Sequence, residues 1–184
     1  MTKKPEIIAT TVVAKTKLFT VEDVHLRFAN GEERNFERIQ GRNLEAIMAV
    51  PLLDQDTFLL IREYGAGLEN YSLAFPKGGM DGDNCEDMFA CANRELKEEV
   101  GYGAHKLSLL ASLSASPSYN KSRMHIILAQ DLYPERLEGD EPEPIEVVPW
   151  KVNQIDQLLK HPEFHETRSV TAVLLLERYL KTNS

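Results

Sequence analysis

Three glutamates, Glu95, Glu98 and Glu99, crowd the end of the stretch "ANRELKEEVGYG", which a glycine brings to a stop at residue 101. At about 100° per residue, Phe89, Ala92, Leu96 and Val100 fall on one stripe, so a helix over roughly 84–100 must pack that face inward. The glutamates are expected on an arc pointing away from it. Asn84 is placed to cap the start, with Asp87 in the first turn and Gly101 as the left-handed residue that ends the helix. Like charges at this spacing cost about 0.2–0.5 kcal/mol per pair, and anions near the negative end of a helix about 0.3–1 kcal/mol each. A solvated acidic face would tolerate the crowding. A divalent cation would reverse it, because hard oxygen donors on one rigid face suit Mg²⁺. A calcium loop is a poorer account. "DGDNCE" begins like one, but its fifth, sixth and twelfth positions are Cys85, Glu86 and Ala92.

The rest of the chain narrows the class. Its 184 residues suit one domain with a small appendage. A net charge of −8 excludes a broad nucleic-acid surface, and an anionic small substrate would need a cation or a local basic cluster. The apolar runs are too short for a membrane span and the amino terminus lacks a signal-peptide pattern, so the expected setting is cytoplasmic. Cys85 and Cys91, six apart on one helix, are read as packing residues with poor disulfide geometry and no zinc signature, which points to a reducing cytoplasm.

Residues 6–14, 18–28 and 32–39 are rich in β-branched and aromatic side chains, with an Asn30-Gly31 turn before the third stretch. They predict a small amino-terminal antiparallel β-sheet, too small to stand alone and therefore expected to pack on a second subunit. Strands are predicted near 45–53, 57–63, 71–75, 107–114 and 124–131, with another ending at Trp150. Helices follow near 152–160 and 167–181, the second bearing a stripe of Val170, Val173, Leu174, Leu176 and Tyr179. The whole is an α/β pattern: a mixed sheet with helices on its faces.

From Glu86 onward, with seven residues between it and Arg94-Glu95-Leu96-Lys97-Glu98-Glu99-Val100-Gly101, the chain resembles the Nudix box. Met80 stands where that motif has its leading glycine, so Gly78 or Gly79 of "FPKGG" is expected to take the role. "LLIREY" and "AQDLYPERLEGDEPEP" extend the likeness to the bacterial ADP-compound hydrolases of the Nudix family. Pro117 and Tyr119 stand near spacings associated with ADP-ribose and dinucleoside-polyphosphate enzymes.

The resemblance implies a Nudix α/β/α sandwich at 44–184, behind an amino-terminal sheet at 1–43 that mediates homodimer formation. It implies Mg²⁺, with Mn²⁺ as the alternative ion, held by Glu95, Glu98, Glu99 and the Lys77 carbonyl. Glu86 and Arg94 are implied to form an orienting ion pair. The base is expected to be Glu141, with Glu143 second and Glu98 or Glu99 as the alternative. Arg62, Arg38 and Tyr119 are candidate substrate contacts, against a reading in which both arginines are merely solvated. The implied activity is Mg²⁺-dependent cleavage of the diphosphate in ADP-ribose, NADH or diadenosine polyphosphates, giving AMP and a second phosphate product. A nucleotide sensor that binds without hydrolysis, and an acidic interaction protein, are the competing classes.

Overall fold

The computed structural model describes residues 3–41, 44–80, 87–139 and 141–183. The chain divides into two units, Met1–Glu45 with Ser114–Arg123, and Ala46–Leu113 with Met124–Ser184.

In the first unit β1 (Glu6–Lys15), β2 (Phe19–Arg27) and β3 (Glu33–Gly41) form an antiparallel sheet in that order. The β2–β3 turn uses Gly31 at φ +85°, and the Asn30 side chain accepts from the Glu32 amide at 3.1 Å. Glycine reaches that conformation without steric cost. The segment 114–123 joins through Ile39, whose amide donates to the Tyr119 carbonyl (2.7 Å) and whose carbonyl accepts from the Lys121 amide (3.2 Å). A division at residue 43 does not anticipate this segment, and Arg42 and Asn43 themselves lie outside the described residues. Every position of β1 is exposed, including Ile7, Ile8, Val12 and Val13.

The second unit contains β4 (Glu45–Pro51), β5 (Thr57–Gly65), β6 (Asn70–Ala74), β7 (Lys77–Gly79), β8 (Tyr102–Leu113), β9 (Arg123–Pro134) and β10 (Glu146–Lys151). They form two sheets, ordered β10-β5-β6 and β7-β4-β9-β8. Helix α1 (Met88–Glu95) continues into a π-helical turn, Leu96–Val100, and a 3₁₀ turn precedes the short α2 (Ile155–Leu158) and the long α3 (Thr167–Thr182).

Side chains alternate across a strand with a period of two, and here both faces are used. Met48 and Val50 of β4, Phe58 and Leu60 of β5, and Ile126 and Leu128 of β9 pack with Leu158, Phe164, Val173 and Leu176. Their neighbours Ile47, Ala49, Leu59, Ile61, Ile127 and Ala129 pack with Cys91, Ala92, Leu96 and Val100. Two helical layers therefore sandwich the strands, as expected of the α/β/α arrangement. Leu174 leaves the expected stripe of α3 and is 45% exposed; Ala172 and Ser169 are buried instead. Cys91 is wholly buried and disulfide-bonded, not the free packing thiol that its spacing suggested, and Cys85 lies outside the described residues.

Helix α3 begins at a carboxylate cap. Glu166 accepts from the Ser169 amide and hydroxyl, both at 2.8 Å, and pairs with Arg168, while Ser169 Oγ accepts from the Phe75 amide at 3.1 Å. Burial pushes the Glu166 carboxyl up, but Arg168 and the Ser169 bonds outweigh it and hold the group below its usual 4.5. A depressed acid stabilises the fold above its unfolded pKa and loses that contribution as pH falls through its folded one. Glu166→Gln is therefore expected to cost about 1 kcal/mol at neutral pH and to flatten the acid limb. Thermal midpoints of both chains between pH 7 and pH 3 test this; curves that stay parallel throughout would refute it.

Candidate active site

Helix α1 is set by Asp87, whose Oδ1 accepts from the amides of Phe89 (2.7 Å) and Ala90 (2.9 Å). The expected cap, Asn84, lies outside the described residues. Beyond Glu95 the helix widens, and the Gly101 amide donates to the Leu96 carbonyl at 2.9 Å, with Gly101 at φ +82°. The widened turn and the tertiary packing change which side chains face inward. Phe89 is exposed, and Cys91 joins Ala92, Leu96 and Val100 in the core.

The three glutamates do not form a solvated arc. Glu95 and Glu99 are only 7% and 6% exposed. The cover comes from β7, which pairs with β4. A Cβ built on Gly78 would lie 2.1 Å from Glu95 Oε1, so glycine lets the backbone pass this close with the Glu95 carboxylate where it stands. The next residue back, Lys77, donates its amide to Glu99 Oε2 at 3.3 Å, while its ammonium pairs with Glu63. Arg94 spans the other two carboxylates, reaching Glu95 Oε1 at 2.5 Å and Glu98 Oε2 at 2.7 Å. Burial, and next the charge of Glu95, push the Glu99 carboxyl up to about 8.

Among the described residues no three His, Cys, Asp or Glu side chains converge as a ready-made metal cage, because Glu95 and Glu98 turn to Arg94. The donor set nonetheless fits a divalent cation. It offers hard oxygens only, two of them on buried carboxylates whose mutual repulsion a cation would relieve.

These groups line a cleft of about 840 Å³ together with the loop Arg136–Gly139 and Glu141–Ile145. The structure thus brings Glu141 into one cleft with Glu95, Glu98, Glu99 and Lys77. Glu143 accepts from the Tyr71 hydroxyl at 2.6 Å. Arg62 stands in a smaller adjoining pocket with Tyr64 and Tyr71, its fork occupied by Glu146 (2.8 Å) and Glu163 (2.9 Å). Arg38 and Tyr119 line a separate groove in the first unit, where Arg38 pairs with Glu22 at 2.6 Å. Glu86 lies outside the described residues, and with it the expected pair with Arg94. Sequence reading missed Arg136 and Tyr71; neither stands in a local pattern, and each meets the site through a contact distant in sequence, Arg136 at the Glu98 carbonyl and Tyr71, from β6, at Glu143.

Comparison with known proteins places this geometry in a family. Residues 5–38 match the NudE-type Nudix hydrolase N-terminal domain, and residues 42–174 the NUDIX domain. The chain is 50% identical over 97% of its length to the ADP compounds hydrolase NudE of Escherichia coli (strain K12), covering 95% of that protein. It is 28% identical over 90% of its length to the ADP-ribose pyrophosphatase of Bacillus subtilis (strain 168), covering 91% of it. A crystal structure of an ADP compounds hydrolase superposes with a TM-score of 0.90 at 48% identity, covering all of this chain and 98% of that one. A glycine-lined strand laid over a glutamate-bearing helix, matched across most of the chain's length, leaves one assignment: the chain belongs to the Nudix hydrolase family.

Proposed function

We propose that this chain is a Mg²⁺-dependent pyrophosphohydrolase of ADP-linked compounds such as ADP-ribose, NADH and diadenosine polyphosphates. The observation that carries the reading is the burial of Glu95 and Glu99 beside Glu98 in a cleft shared with the acidic loop. An interaction surface has no use for two inward-facing carboxylates. The similarity to an ADP compounds hydrolase at 50% identity supports the substrate class.

Glu95, Glu98, Glu99 and the Lys77 carbonyl would hold the ion, which when bound screens the carboxylates, neutralises phosphate charge and acidifies a water. Glu141 then takes the proton of the attacking water. A new P–O bond forms as the bridging P–O bond breaks, and the departing phosphate leaves as the second product. Glu98 or Glu99 is the alternative base. Arg94 balances the charge of Glu95 and Glu98; Arg62 is proposed to contact substrate, as are Tyr119 and Arg38, the latter across a dimer interface. The exposed β-branched face of β1 supports a homodimer built on the first unit, because a lone three-stranded sheet with an apolar edge is marginal in water. A cytoplasmic setting is proposed on the nucleotide substrates alone, since the disulfide-bonded Cys91 removes the support that free thiols would have given.

Incubation with ADP-ribose and MgCl₂ should release AMP and ribose 5-phosphate, and light scattering should return twice the chain mass. Glu141→Gln is expected to lower kcat about 10²–10⁴-fold, the usual worth of a general base, with little change in Mg²⁺ affinity. An unchanged rate would move the base to Glu98 or Glu99; no turnover by the unmodified chain would favour the sensor reading.

A further inference from the structure

The cleft is strongly anionic for a diphosphate substrate. Three cations line it among the described residues: Lys77, Arg94 and Arg136. Lys77 is committed to Glu63, and Arg94 to Glu95 and Glu98. Arg136 makes no ion pair with a described carboxylate; its contact is to the Glu98 carbonyl, at a long 3.5 Å.

The main chain that carries this guanidinium is nonetheless held in place. On one side the Glu135 amide donates to the Gly101 carbonyl, and on the other the Leu137 amide donates to the Lys97 carbonyl, both at 3.1 Å. Glu135 also pairs with Lys97 at 2.8 Å. Arg136 therefore sits between two backbone anchors on the end of the glutamate-bearing turn. Gly101 makes room for it, since a Cβ there would lie 2.9 Å from Arg136 Nη2 and 3.0 Å from Nε. An exposed arginine whose main chain is pinned has already lost much of the freedom that phosphate binding would otherwise remove.

We propose that Arg136 is a phosphate-binding residue of this cleft, receiving non-bridging oxygens of the substrate diphosphate on its planar fork. The inference rests on the hydrolase reading above for the identity of the substrate. It also explains how an acidic cleft admits an anion: a divalent ion, when bound, would offset two carboxylate charges, and Arg136 supplies a further positive pole beside Glu98.

The test uses the full chain, ADP-ribose and MgCl₂. Arg136→Ala should raise KM about 10–100-fold, the range of one charge-assisted contact, with kcat within about threefold, and Arg136→Lys should recover part of the loss. In the Glu141→Gln background, calorimetry should show ADP-ribose binding weakened to the same extent by Arg136→Ala, with Mg²⁺ binding unchanged. A purely structural role, closing off the helix end, would instead lower the thermal midpoint and kcat while leaving KM and the binding constant alone; that result overturns the proposal, as does an unchanged KM. Should the unmodified chain show no turnover while Arg136→Ala still weakens ADP-ribose binding, the hydrolase reading fails and the role of Arg136 stands.

Discussion

Glu99→Gln is expected to raise the thermal midpoint of the metal-free chain while removing most of its turnover. The carboxyl is 6% exposed, burial and the Glu95 charge push it up to about 8, and its nearest donor is the Lys77 amide at a long 3.3 Å. An acid whose folded pKa lies above its unfolded value contributes most stability below the unfolded value. That contribution is lost as pH climbs towards the folded one, here between about 4.5 and about 8. Near pH 7.5 the loss is of order 2–4 kcal/mol, and glutamine, which cannot ionise, avoids it. For a chain of this size the gain corresponds to roughly 5–15 °C. Turnover of ADP-ribose should fall at least about 10²-fold, since on the proposed mechanism Glu99 helps to hold the cation that stabilises developing charge. The stabilisation that MgCl₂ confers should shrink with it. Scanning calorimetry with and without MgCl₂, beside an AMP-release assay, reads all three. A variant that melts earlier than the parent, or that keeps full activity, would show that Glu99 is neither strained nor used.

The second large effect is on Gly78. Its absent side chain is what allows β7 to cross the helix, because an added methyl would fall 2.1 Å from Oε1, 2.2 Å from Cδ and 2.5 Å from Oε2 of Glu95. Every atom struck belongs to the mobile end of one side chain, so the backbone can survive by expelling that carboxylate. The stability cost is accordingly moderate, about 1–3 kcal/mol. The functional cost is larger, because Glu95 leaves its place beside Arg94, and a shift of this size costs about 10²-fold in rate. Gly78→Ala should thus keep a cooperative melt while losing nearly all activity and most of its response to MgCl₂. Gly67→Ala is the control, since a Cβ there meets nothing within 4 Å. Equal activity in the two variants would mean that Glu95 does not need to stand where β7 holds it.

The candidate site was legible in the residues from 94 to 101, because three carboxylates, an arginine and a terminating glycine at fixed spacing are a local pattern. The burial of two of those carboxylates was not. Periodicity placed them on an outward arc, and β7, some twenty residues upstream, turned that side into an interior. The widening of the last turn was hidden for the same reason: it accompanies hydrogen bonds from Leu137 and Arg136 to the helix end, which lie far along the chain.

By itself the sequence determined the alternation that puts both faces of β4, β5 and β9 against helices, the Asn30-Gly31 turn, and the carboxylates available to meet an ion. Those depend on dihedral preference and on the period of apolar residues, which neighbours along the chain establish. Tertiary structure alone decided that Tyr71 meets Glu143, that Arg62 is held by Glu146 and Glu163, and that Arg136 stands over Gly101. Each of these joins groups dozens of residues apart in sequence, through contacts that exist only once the strands have chosen their partners.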